Sequence, residues 1–238
     1  MAIKSPPPAP IRAVAVAIVL LVLATSTQAK ESTCYGTVSK GRLENGVRLP
    51  TSGPNFSAYS SLAATLGRTY VHSTVREVVV AAYAALEKSA PGKVFVYGET
   101  GWRSGGRIRP HRSHQNGLSV DFFVPVRDRS GRSVPLPTGV TNRFGYAIEF
   151  DGDGRFGDYA IDFDAAAEHL YQLNAAAKAR GVSLALVILD PPYLPKLFGV
   201  ARGPFLRQNL EFMKGAAWVR HDEHYHVDFA VPCRPNDG

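Results

Sequence analysis

His221-Asp222-Glu223-His224-Tyr225-His226-Val227-Asp228-Phe229-Ala230-Val231 is the stretch that organises the rest of the chain. Side chains on a strand alternate between its faces, so a strand over 223–231 sets His224 and His226 on one face and Tyr225 and Val227 on the other. Two imidazoles side by side can chelate a metal together, or one can bind metal while the other moves protons. A second cluster, Pro110-His111-Arg112-Ser113-His114-Gln115-Asn116-Gly117-Leu118-Ser119-Val120-Asp121, completes the pattern. Five of the seven histidines lie in these two stretches, which directs attention away from His72 and His169; both read as structural. Gly117 permits a tight bend, so that His114 and Asp121 can converge on one point.

Working outward, residues 118–124 read as a second strand and 93–97 as a third. The intervening segment 98–112 is an arginine-rich, glycine-rich loop. A helix is expected over 74–88, opened by a Thr74/Glu77 capping box, with Val75, Val78, Val79, Ala82, Tyr83 and Leu86 on its buried face. Pro91-Gly92 ends it. A second helix starts at Asp164 as cap and runs to Arg180, with Gly181 as its stop. An apolar strand follows over 183–189, then a short helix over 191–198 with proline in its first turn. Asp151-Gly152-Asp153-Gly154 resembles the start of a calcium loop but lacks its later acidic positions, so a hairpin turn is expected there. Residues 30–70 read as a meandering lead-in. The sum is one α+β domain over 30–238, with a small, mainly antiparallel sheet flanked by helices.

The 238 residues are 45% hydrophobic and 20% charged, the balance of a globular protein with ample core. No stretch approaches the length of a membrane-spanning helix. Lys4 and Arg12 precede a short apolar run, Ala13 to Ala24, and a small-residue stretch ending at Ala29. That is the pattern of a secretory signal peptide over residues 1–29, which directs the protein to the exterior or periplasm with no membrane insertion after cleavage. The formal net charge is +7; removal of 1–29 takes out Lys4 and Arg12 and no acid, leaving +5. Such a surface favours an anionic partner, and export excludes nucleic acid from that role. Cys34 and Cys233, the only two cysteines, are expected to pair in an oxidising compartment and tie the termini together.

Imidazole and carboxylate ligands without thiolate suit zinc, and three of them leave a position for water. Zinc lowers the pKa of such a water toward about 7 and polarises a carbonyl under attack. The string Gly105-Gly106-Arg107-Ile108-Arg109-Pro110-His111-Arg112-Ser113-His114-Gln115-Asn116-Gly117-Leu118-Ser119-Val120-Asp121 resembles the signature of penicillin-insensitive murein endopeptidases, and so does His221-Asp222-Glu223-His224-Tyr225-His226-Val227. These enzymes belong to the superfamily of lysostaphin-type peptidases, D-Ala-D-Ala dipeptidases and the hedgehog domain.

The resemblance implies a zinc metallopeptidase core that hydrolyses D-alanyl–meso-diaminopimelate cross-links of peptidoglycan. It implies His114, Asp121 and His226 as zinc ligands, His224 as general base or stabiliser of the tetrahedral intermediate, and His221 as a second active-site imidazole. His111 resembles a residue that contributes to a second metal site, with a substrate-facing role as the alternative. Ser119 stands where an aspartate is common in the family. Arg103, Arg107, Arg109 and Arg112 crowd the loop before His114. Arg109 and Arg112 are the candidates to grip a substrate carboxylate. Trp102 and Trp218 each precede a cluster and either line the cleft or pack in the core. Two other readings share these residues: a D-Ala-D-Ala carboxy- or dipeptidase of the same superfamily, and a wall-binding zinc protein without activity.

Overall fold

The computed structural model describes residues 1–2, 30–215 and 217–236; the leader read over 1–29 lies almost wholly outside the described residues. At the centre is a five-stranded sheet ordered Ser183–Ile188, His224–Ala230, Ser119–Phe123, Phe95–Tyr97, Phe56–Ala58. All neighbours are antiparallel except the last pair. The His224–Ala230 and Ser119–Phe123 strands therefore sit inside the sheet. Their register pairs His226 with Asp121, Tyr225 with Phe122 and Asp228 with Ser119. The architecture is the mixed α+β fold expected, with a mainly antiparallel sheet.

Two long helices, Ser73–Ser89 and Phe163–Lys178, pack against one another. They cover the sheet face that carries Tyr225, Val227, Val120 and Phe122, all buried. One cluster of buried side chains runs from Cys34 to Phe229. The expected buried face of the first helix is the observed one. Its cap differs: His72 rather than Thr74 stands before the helix, and its Nδ1 accepts the Thr74 backbone N–H. The His72 N–H is itself tied to the carbonyl of Gly117, which sets the cap two residues earlier. Glu77, freed from a capping box, meets Arg180, two residues past the end of the second helix. That helix is capped by Asp162 instead of Asp164, because the Asp162 N–H is anchored to the Pro125 carbonyl and its Oδ1 accepts from Ala165.

The lead-in is more regular than its composition suggests. Thr33–Thr37 and Lys40–Glu44 form a hairpin, Phe56–Ala58 joins the main sheet, and Ser61–Thr65 is a short helix. Strands of three to five residues carry too few side chains for a period to be read. Gly203–Asn209 is a further short helix, with too few turns for a helical period to show in its sequence. Asp151–Gly154 makes a turn as expected, with the Gly154 N–H on the Asp151 carbonyl and the Asp151 N–H on that of Arg155. The Asp151 carboxylate accepts the N–H groups of Asp153 and Arg155, and a ladder hairpin, Arg155–Phe156/Tyr159–Ile161, follows with its own turn at Gly157-Asp158. Cys34 and Cys233 form a disulfide that links the first strand to the tail of the last. No helix among the described residues is long and apolar enough to cross a membrane.

Candidate active site

The face of the sheet opposite the two helices is polar and equally closed to solvent. Along one strand it presents His224, His226 and Asp228; along its neighbour, Ser119 and Asp121. Pairing across the strands makes the Asp121 carboxylate the point where the histidines meet. Its Oδ1 lies 2.9 Å from His226 Nδ1, 3.2 Å from His114 Nε2 and 3.9 Å from His224 Nε2. Its Oδ2 accepts a hydrogen bond from the Tyr146 hydroxyl at 2.9 Å. Burial alone would raise the Asp121 pKa, but His114 and His224 hold it well below the ordinary carboxylate range.

His114 reaches this point through a left-handed backbone (φ 67), followed by the bend at Gly117 (φ 77). Its Nδ1 lies 3.1 Å from the Thr100 carbonyl. A carbonyl only accepts, so Nδ1 carries the proton and the neutral ring turns the Nε2 lone pair toward Asp121. That Nε2 is fully buried and has no hydrogen-bond partner among the described residues. A lone pair facing a carboxylate oxygen in a closed site asks for a cation between them. Burial holds the His114 pKa below its usual value, so a proton is poorly suited to the place.

His226 is held from both sides, by Asp121 at Nδ1 and by Asp228 Oδ1 at Nε2, 2.8 Å away. Burial disfavours its charge, but the two carboxylates overcome that and raise it to about 10. Ser119 donates its hydroxyl to the same Asp228 oxygen at 2.5 Å. Ser119 thus orients the carboxylate behind His226.

His221 and His224 lie side by side, ring centroids 4.6 Å apart. The Nδ1 of His221 sits 2.8 Å from the Val219 carbonyl, which leaves Nε2 as its lone-pair atom. The Nδ1 of His224 shares a proton with Glu223 Oε1 at 2.8 Å. Burial pushes both imidazoles down to about 4. It lifts Glu223 to about 8.

His111 enters the same cavity from the loop. Its Nε2 meets Glu99 Oε2 at 2.6 Å, and its Nδ1 is 3.8 Å from Asp121 Oδ2. Burial opposes charge on His111, yet Glu99 and Asp121 leave its pKa above the ordinary value. Glu99 is a buried hub: Arg68 donates to both its oxygens and Tyr59 donates to Oε1 at 2.9 Å. The ligand atoms of His111, His114 and Asp121 all lie within 4.8 Å of one another, a grouping able to hold a metal ion.

Of these groups, Glu99, His111, Asp121, Tyr146, His221, Glu223, His224 and His226 line a cavity of about 470 Å³, whereas the buried His114 is not on its wall. Trp218 is on its wall and meets His221 edge-on, whereas Trp102 is outside it and donates to the Arg107 carbonyl. Arg109 and Arg112 are exposed on the loop and do not line the cavity; Arg112 lies over the Trp218 ring. The arginines on the wall are Arg143 and Arg220. His72 and His169 lie away from the cavity, His72 as a helix cap and His169 among aromatic rings.

Sequence reasoning missed Glu99, Tyr146, Arg143, Arg220 and Asp228. Asp228 follows from the same alternation that pairs His224 with His226, since it is two residues on. Glu99 and Tyr146 carry no local signal. They meet because Gly98 has no side chain: a Cβ there would stand 2.5 Å from the Tyr146 hydroxyl, which accepts the Glu99 N–H.

No curated protein matches the chain. Among protein families, the one described as penicillin-insensitive murein endopeptidase matches residues 34–137. The match takes in the hairpin that leads the chain, the first long helix and the arginine loop, and ends before the His221–His226 cluster. The segment that supplies His111, His114 and Asp121 is thus similar to the penicillin-insensitive murein endopeptidase family, whose members are peptidases of cell-wall murein.

Proposed function

We propose that this chain is a zinc-dependent peptidoglycan endopeptidase of the periplasm, hydrolysing D-alanyl–meso-diaminopimelate cross-links, with residues 30–238 as its one catalytic domain. The observation that carries the reading is the buried His114 Nε2, which has no hydrogen-bond partner among the described residues and faces Asp121 Oδ1 3.2 Å away, on the oxygen that also meets His226 Nδ1. His114, Asp121 and His226 would hold the metal, an all-nitrogen-and-oxygen donor set that suits zinc. His111 stands beside them as a candidate for a second ion or for the substrate. Bound there, zinc would supply Lewis-acid polarisation of the scissile carbonyl and a water acidic enough to ionise near neutral pH.

The chain's own groups then divide the remaining work. The Val219 carbonyl fixes the His221 tautomer, so His221 Nε2 takes up the proton of the attacking water and later returns it to the leaving amine. Glu223 favours its protonated form near neutral pH and so donates a hydrogen bond from its carboxyl O–H to His224 Nδ1, which places the neutral ring's own proton on Nε2 as a donor for the developing oxyanion. Asp228 and Ser119 keep the His226 ring in place, and Tyr146 does the same for Asp121. Arg109 and Arg112, exposed on the adjoining loop, offer guanidinium groups to more distant peptide carboxylates. The test is muropeptide analysis of purified sacculi after incubation with the protein, with and without chelator. Conversion of cross-linked dimers to monomers that chelator stops supports the endopeptidase. Loss of terminal D-alanine alone would make it a carboxypeptidase, and unchanged sacculi with zinc bound would make it a binding protein.

A further inference from the structure

Two arginines line the cavity, and their circumstances are opposite. Arg220 is fully engaged: it meets Glu149 at 2.7 Å and Asp190 at 3.2 Å, and donates to the Phe150 carbonyl at 2.7 Å. Arg143 is exposed, and its side chain makes no ion pair or hydrogen bond among the described residues. A guanidinium with unspent donors at the mouth of a site full of committed carboxylates is a recognition group for an anion brought in from outside.

The backbone beneath it is costly and tightly held. Arg143 and Phe144 are consecutive non-glycine residues in the left-handed region, at φ 52 and φ 59. Side-chain–backbone crowding disfavours that region for both, and such conformations persist where the surroundings over-determine them. Here Asn142 Oδ1 accepts from Gly139 N and Gly145 N, while its amide donates to the Pro137 carbonyl at 2.6 Å. Phe144 sets its ring edge-on to Tyr59. Three residues after Arg143, Tyr146 bonds directly to Asp121. The turn that presents Arg143 is therefore pinned to the central carboxylate of the site.

We propose that Arg143 is a carboxylate subsite that reads the leaving half of the substrate; the assignment rests on the endopeptidase reading. In a D-alanyl–meso-diaminopimelate cross-link, the nitrogen to be released sits on a carbon bearing its own free carboxylate. Arg143 pairs with that carboxylate, orients the leaving amine, and selects cross-links whose diaminopimelate is free over those where it is amidated.

The experiment uses two synthetic cross-linked peptides that differ only in whether this carboxyl is free or amidated. Wild type, Arg143→Asn and Arg143→Lys are compared. Asparagine tolerates the left-handed backbone and removes the charge; lysine keeps the charge without the bidentate fork. The expected wild-type preference in kcat/KM for the acid is about 10- to 100-fold, as for a charge-assisted pair. That ratio falls toward unity in Arg143→Asn and to an intermediate value in Arg143→Lys. A wild type with no preference, or an Arg143→Asn protein that keeps it, overturns the proposal while leaving the endopeptidase standing.

If wild type cuts neither peptide, the endopeptidase reading fails, and the subsite is decided by calorimetric titration of metal-free protein. The probe is the uncross-linked stem peptide ending in diaminopimelate, as acid and as amide. At least about tenfold tighter binding of the acid by wild type, lost in Arg143→Asn, supports the subsite. Equal affinities in the two proteins overturn it.

Discussion

The two faces of one pair of strands contrast sharply. On one face Tyr225, Val227, Val120 and Phe122 pack under the helices; on the other, His224, His226 and Asp121 line the cavity, with Asp228 and Ser119 bonded behind His226. Both are closed to water, and both contain a fully buried histidine. His169 lies among Tyr83, Phe95 and Phe122, with the Tyr225 hydroxyl as partner of its Nδ1, and burial alone pushes it down to about 3. His226 is just as enclosed, yet Asp228 and Asp121 reverse the effect of burial and raise it to about 10. The partner, not the depth, decides whether a buried imidazole is inert packing or part of a site.

The comparison breaks most decisively at Asp121. Replacing it with asparagine removes the charge that His114, His224 and His226 share. We expect loss of cross-link hydrolysis by at least about a thousandfold together with loss of bound metal, checked by muropeptide release and elemental analysis. Full activity in a metal-free Asp121→Asn protein would refute the ligand assignment. A smaller effect belongs to His224→Ala, which should keep its metal and lose about 10²- to 10³-fold in turnover as an oxyanion donor is removed. Loss of metal in that variant would move His224 into the ligand set.

The apolar face responds in stability, with a definite sign in pH. Above pH 6.5, His169 is neutral in both folded and unfolded chains and costs nothing. Below it, the unfolded chain takes a proton that the folded one refuses until about pH 3. Stability should therefore fall as pH drops through this window, by about 1.4 kcal/mol per unit from this group. Denaturant titrations from pH 7 to 4 on wild type and His169→Gln measure it; parallel curves would show that His169 is not the source. Smallest is Tyr225→Phe, which removes the partner of His169 Nδ1 for about 1–2 kcal/mol. Because Tyr225 points away from the cavity, metal content and hydrolysis should stay within about twofold of wild type. A large loss of either would mean that the two faces are coupled.

Much of this contrast is legible in the chain itself. The alternation of His224, Tyr225, His226 and Val227 sorts the faces correctly, since a strand has only two sides. The same holds for the buried stripe of the first long helix. Both cysteines meet as expected of an exported protein. Helix entry was less readable. A capping box at Thr74 and a cap at Asp164 satisfy local rules, yet the chain enters at His72 and Asp162, because distant carbonyls of Gly117 and Pro125 hold those residues. The lead-in was opaque for another reason: strands as short as Phe56–Ala58 exist through their neighbours rather than their own pattern.

At the site, the residue types and their spacing determine a cluster of imidazoles and a carboxylate that can converge, because strand periodicity and a glycine bend are local properties. Which oxygen faces which nitrogen is not local. The register of the Asp121 and His226 strands, the approach of Tyr146 over Gly98, and the Arg68–Glu99–His111 chain join residues far apart in sequence. Only tertiary packing brings them within hydrogen-bond reach. It also commits Arg220 to Glu149 and Asp190 and leaves Arg143, on the same cavity wall, without an ion pair among the described residues, a difference between two arginines that no pattern of neighbours along the chain contains.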